Sequence, residues 1–176
     1  MPRPKPVRGF IAVGSNIEPE QNVPRALERL MERVKVTRVS THYRTAPLDR
    51  PEQPPFVNGV WQIETTAGAR ELKFRILRGI EAELGRVRTE DDYAPRTIDL
   101  DIALYGEAVI EEPDLVVPDP DILERSFLAV PLVELEPDLR VPGTERPLRG
   151  YPVAHDRSGL EPMPEFTRTL REKLER

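Results

Sequence analysis

In residues 94–106, APRTIDLDIALYG, the apolar Ile98, Leu100, Ile102 and Leu104 alternate with Thr97, Asp99, Asp101 and Ala103. A period of two predicts a half-buried strand. Side chains at i and i+2 share a face, about 6.5–7 Å apart for a rise of ~3.3 Å per residue. Asp99 and Asp101 therefore point the same way, between the small Thr97 and Ala103. Like charges so placed repel unless a cation lies between them. Hard divalent ions prefer oxygen ligands, and Mg²⁺ takes one or two carboxylates and completes its shell with water and nucleotide phosphates. A solvated outer strand face is the plainer alternative. A D-x-D pattern by itself does not separate the two.

Reading outward, VRGFIAVGSN (7–16) predicts a first strand that ends in a Gly-Ser-Asn turn. Val23, Leu27, Leu30, Met31 and Val34 then recur at helical spacing. KVTRVSTHYRT (35–45) predicts a second strand, and FVNGVWQIETT (56–66) a third, with the Pro-rich APLDRPEQPP (46–55) between them. Residues 69–88 form the clearest helix, striped by Leu72, Ile76, Leu77, Ile80, Leu84 and Val87. With the aspartate strand last, the order is β-α-β-β-α-β. The expected class is α+β, a ferredoxin-like core with helices on one face of a mostly antiparallel sheet. Residues 1–140 read as the main domain and 141–176 as a C-terminal extension packed on it. In that extension Phe166, Leu170 and Leu174 recur every four residues, which suits a docked helix or a frayed end.

The chain has 176 residues, 38% of them hydrophobic and 32% charged, with a net charge of −5. That balance speaks against a nucleic-acid-binding surface or an anionic membrane partner. There is no cysteine, so disulfides, thiolate nucleophiles and zinc–cysteine sites are excluded. The opening MPRPKPVRGFIAVGSN has no apolar signal core, and the cytoplasm is the expected compartment. Small molecules are the expected partners of a monomer.

No G-x-x-x-x-G-K-[ST] is present, so phosphates would have to be held without a P-loop. The available cations are Arg78, Arg86, Arg88, Arg96 and Arg125, whose guanidinium forks suit phosphate geometry. Glu81 and Arg88, seven apart, fall on nearly one helix face. An ordinary solvated face with ion pairs explains that spacing equally well. The segment HYRTAPLDRPEQPPFVNGVW mixes Tyr43, Phe56 and Trp61 with Thr45, Gln53 and Asn58. Flat aromatics beside amides suit a planar heterocycle, and they also suit a Pro-stiffened loop capped by core aromatics.

AVGSN, YRTAPLDRPEQPPFVNGV, ELGRVR, APRTIDLDIALYG and VPDPDILERSFLAVPLVELEP, in this order over about residues 8–140, resemble the 6-hydroxymethyl-7,8-dihydropterin pyrophosphokinase family. The resemblance implies transfer of pyrophosphate from ATP to the pterin hydroxymethyl group with release of AMP, a step of folate biosynthesis. It implies two Mg²⁺ ions on Asp99 and Asp101, and a pterin pocket of Thr45, Leu48, Phe56, Asn58 and Phe127. It implies nucleotide contacts from Glu81, Arg88, Arg96, Ile102 and Arg125, with Arg88, Arg96, Asp99 and Asp101 catalytic. A lid over 87–95 would carry Tyr93.

This chain departs from the family pattern at Asp119, which stands where a histidine is usual, and in the acidic run Glu90, Asp91 and Asp92. Arg78 replaces an amide, Ala46 replaces a proline, and GSNIEP lacks the family's next glycine. The added acids leave open a relative that binds a pterin without transferring pyrophosphate, or that uses another donor. An RNA-binding ferredoxin-like module has little support, since the chain is acidic and its expected sheet lacks the exposed aromatic pair that base stacking requires.

Overall fold

A computed structural model describes residues 3–46, 52–86, 90 and 96–176. Strand β1 (Val7–Ser15) leads into helix α1 (Pro19–Met31), then β2 (Lys35–Val39), β3 (Tyr43–Thr45) and β4 (Phe56–Thr65). A second helical rod follows as α2 (Ala69–Glu71), a π-helical stretch Leu72–Leu77 and α3 (Arg78–Glu83). Next come β5 (Asp99–Tyr105), the small hairpin β6 (Ile110–Glu112) and β7 (Leu115–Val117), a 3₁₀ turn Pro120–Leu123, and α4 (Ser126–Leu135). Two further 3₁₀ turns precede β8 (Glu161–Pro162) and α5 (Pro164–Leu174).

The sheet runs β5-β1-β4-β3-β8, with β2 also on β4, and every pair in it is antiparallel. An α+β protein with a mostly antiparallel sheet is thus what the sequence builds. The expected single helical face needs correction. Phe10, Val60, Ala103 and Leu104 make the second face of the sheet apolar, and Leu128, Ala129, Leu132 and Leu135 of α4 cover it. On the first face, α1 and the second rod pack Val23, Leu27, Leu30, Leu72, Ile76 and Ile80 against Ile11, Val13, Trp61, Ile63 and Ile102. Burial on both sides is why β1 reads as a nearly unbroken apolar run.

Three local features escaped the pattern. Pairing of β1 with β5 jumps from Phe10↔Leu104 to Ile11↔Ile102, so Ala103 is an extra residue in β5. This β-bulge reverses the alternation beyond it, and Leu104 joins the face opposite Leu100 and Ile102. The single strand expected over 35–45 is divided at 40–42. The Ser40 hydroxyl accepts from Val60 N (2.9 Å), while Thr41 N and Oγ1 donate to the Glu134 carboxylate of α4 (2.9–3.0 Å). Finally, the second rod stops at Glu83 rather than 88. Gly85 takes φ +82°, and Arg86 N returns to Glu81 O (3.0 Å), a left-handed helix stop that glycine favours.

Among the described residues no helix is long and apolar enough to cross a membrane. The C-terminal segment is docked: Leu170 of α5 is fully buried in the first core, and β8 extends the sheet beyond β3.

Candidate active site

A cleft of about 460 Å³ opens at the end of the sheet where β1, β4 and β5 meet the start of α4. One wall is neutral. Phe56 and Asn58 stand two apart on β4 and therefore share a face. Thr45 at the end of β3 pairs with Phe56 and accepts a 2.6 Å hydrogen bond from Asn58 Nδ2. Gly14 of β1 lies opposite Asn58, and a Cβ there would sit 2.9 Å from Asn58 Oδ1, so only glycine leaves that amide its place. Phe127, from the first turn of α4, lines the same space. Thr45, Phe56, Asn58 and Phe127 are thus brought together; Leu48 lies outside the described residues.

The other wall is charged. Asp99 and Asp101 of β5 line the cleft with Arg96, Asp119, Asp121 and Arg125. Asp99 is held on both oxygens, by Arg86 Nη1 (2.9 Å) and Arg96 Nη1 (2.6 Å). Asp101 accepts from the Ile102 amide (3.0 Å) and faces Lys73 Nζ at 3.9 Å. Burial pushes the Asp101 carboxyl above its ordinary value, with Lys73 opposing and the neighbouring Asp99 adding to the rise. Asp119 caps the 3₁₀ turn by accepting from Asp121 N (2.9 Å). Burial raises it to about 6; the Asp121 amide opposes this, and the Asp101, Asp121 and Asp99 carboxylates reinforce it.

Other proposed contacts fall elsewhere. Glu81 does not line the cleft: it is buried, and its Oε2 accepts from Arg86 Nη1 (2.6 Å) and Leu100 N (2.8 Å). It therefore props the guanidinium that holds Asp99. The Ile102 side chain is buried in the first core. Arg88 and Tyr93 lie outside the described residues.

The structure adds residues that sequence reading passed over. Asn16, of the undiagnostic Gly-Ser-Asn turn, is buried; it accepts from Arg96 N (2.7 Å) and donates to Gln53 Oε1 (3.1 Å). Lys73, on the π-helical stretch, is aimed at Asp101. Neither composition nor the apolar stripe of that helix announces Lys73.

A family model, 7,8-dihydro-6-hydroxymethylpterin-pyrophosphokinase (HPPK), matches residues 10–137. The chain belongs to the HPPK family. It is 42% identical over 139 residues to a Pseudomonas aeruginosa 2-amino-4-hydroxy-6-hydroxymethyldihydropteridine pyrophosphokinase, covering 77% of this chain and 84% of that one. It is 37% identical over 144 residues to the folic acid synthesis protein fol1 of Pneumocystis carinii, covering 81% of this chain but 19% of that much longer one. The Plasmodium falciparum HPPK-DHPS crystal structure overlays 86% of this chain and 45% of that chain, with a TM-score of 0.68 at 12% identity, which speaks for the fold. The HPPK match stops at 137, so β8 and α5 lie beyond it.

Proposed function

We propose that this HPPK-family protein transfers the β,γ-pyrophosphoryl group of ATP to the hydroxymethyl oxygen of 6-hydroxymethyl-7,8-dihydropterin. The new bond joins that oxygen to the β-phosphorus. The bond from the β-phosphorus to the α–β bridging oxygen breaks, and AMP leaves with that oxygen. The observation that carries this reading is one cleft with two unlike walls, a neutral aromatic–amide wall and a carboxylate–guanidinium wall. Phe56 and Phe127 would enclose the ring faces, while Thr45 and Asn58 would read its edge. Arg96 and Arg125 would neutralise phosphate oxygens, and in-line transfer asks little else of the protein than positioning and charge stabilisation.

The donor set fits Mg²⁺. Asp99 and Asp101 present hard oxygens on one strand, and among the described residues no third acid or histidine completes a cage. That suits an ion that keeps water and phosphate oxygens in its shell. Asp99 and Asp101 would hold it, and its chemistry would be to offset charge on the transferring phosphates. Arg86 and Glu81 keep Asp99 oriented, and Asn16 keeps the Arg96 backbone in place. The hydroxyl proton leaves to water or to a carboxylate of this wall.

The purified protein with ATP, Mg²⁺ and the hydroxymethyl pterin is expected to release one AMP for each pyrophosphorylated pterin. Pterin binding without AMP would instead favour a pterin-binding relative with another donor, a reading that Asp119 and Asp121 on the phosphate side motivate.

A further inference from the structure

Strand β3 is only three residues long, yet it carries Thr45 of the neutral wall. Left as a sheet edge, so short a strand would open locally at little cost in free energy. It is not left so. Tyr43 and Arg44 pair with Pro162 and Glu161 of β8, and Met163 N donates to His42 O (2.9 Å). His42 N in turn donates to Thr167 Oγ1 of α5 (2.9 Å), and both residues are buried. Arg157 Nη1 reaches the Tyr43 hydroxyl at 3.2 Å.

His42 links this clamp to the cleft. Its ring lies against bare Gly59 of β4, where a Cβ would come within 2.4 Å of it, and Gly59 lines the cleft next to Asn58. Trp61 Nε1 can only donate, so His42 Nε2 accepts it (3.2 Å), and Nδ1 carries the proton toward Ser40 O (3.0 Å). Phe166 of α5 closes the ring from its edge, with centroids 5.8 Å apart. Every polar atom of His42 is thereby assigned, two of the bonds coming from the segment beyond residue 137.

We propose that residues 138–176 are a positioning element for the pterin wall: through Thr167 and Met163 they fix His42 and strand β3, and so set where Thr45 meets Asn58. This rests on reading Thr45, Phe56 and Asn58 as the pterin side. Thr167 touches no substrate and acts through His42.

The test is Thr167→Val in the full chain, with Thr167→Ser as the conservative partner. Thr167→Val is expected to raise KM for the pterin about five- to tenfold, with KM for ATP and kcat within about twofold, and to speed amide exchange at Tyr43–Thr45. Thr167→Ser restores both. Arg157→Gln, an exposed change that removes only the bond to Tyr43, is expected to speed exchange at Tyr43–Thr45 and to raise KM for the pterin about four- to fivefold, and it serves if Thr167→Val does not fold. Unchanged exchange at β3 overturns the clamp. Faster exchange with an unchanged pterin KM overturns the proposal differently, by showing that β3 does not hold the pterin.

Discussion

Thr45, Phe56 and Asn58 stand on strands that are hydrogen-bonded on both flanks, β4 between β1 and β3, and β3 between β4 and β8. Asp99 and Asp101 stand on β5, at the opposite edge of the sheet. The neutral wall needs no ligand to settle it: Asn58 already bonds Thr45, and no charge needs company. The charged wall is settled only in part. Asp99 has two guanidinium partners, but the Asp101 and Asp119 carboxyls are both pushed upward by burial, with Asp99 adding to the rise at Asp101 and the Asp101, Asp121 and Asp99 carboxylates adding to it at Asp119. One half of the cleft is preorganised by the sheet. The other half keeps a repulsion that a cation or a proton must relieve.

The largest test of that contrast is Asp101→Ala. We expect the rate of AMP release to fall by about 10³-fold or more, because charge stabilisation dominates phosphoryl transfer. Pterin affinity, measured by calorimetry, should stay within about threefold, since the neutral wall does not depend on that carboxylate. Loss of pterin binding together with turnover would show that the walls are not independent. Asp99→Ala should cost as much activity, while Arg86 keeps its bond to Glu81 and so stays paired in the variant. The converse change, Asn58→Ala, should raise KM for the pterin about 10- to 100-fold, with KM for ATP within about twofold. Equal losses for both substrates would erase the division between walls.

The same contrast decides what could be read without coordinates. Asp99 and Asp101 were legible because a period of two survives at the start of β5, and Thr45, Phe56, Asn58 and Phe127 because the family pattern spaces them. Leu104 was not, since nothing in the letters announces that Ala103 is an extra residue. The break at Ser40–His42 was hidden for a related reason: a hydroxyl and a carboxylate distant in sequence replace the ladder there. Glu81 shows the limit of helical spacing as evidence. Its placement beside Arg88 assumed a helix to 88, whereas Gly85 ends the rod early and Arg86 claims the carboxylate. The Leu170 stripe of α5 was visible; β8, a Glu-Pro pair with no strand signature, was not.

The smallest expected effect lies at Asp119. In an unfolded chain its carboxyl titrates at about 3.9, and in the folded protein at about 6. Between those values the folded state binds the extra proton, so this residue makes the protein less stable as pH rises from about 4 to about 6. Asp119→Asn keeps an acceptor for the Asp121 amide and removes the charge. It should therefore raise the melting temperature by about 2–4 °C at pH 7.5 and leave it unchanged at pH 3.5. The charge also faces the phosphate side of the cleft, so KM for ATP at limiting Mg²⁺ should fall about threefold in the variant at pH 7.5 and converge with the parent below pH 5. Taking the ratio of the two proteins cancels the titration of the nucleotide itself. A ratio flat across pH would mean that Asp119 carries no charge change toward the nucleotide, and that the unrelieved repulsion of this wall belongs to Asp101.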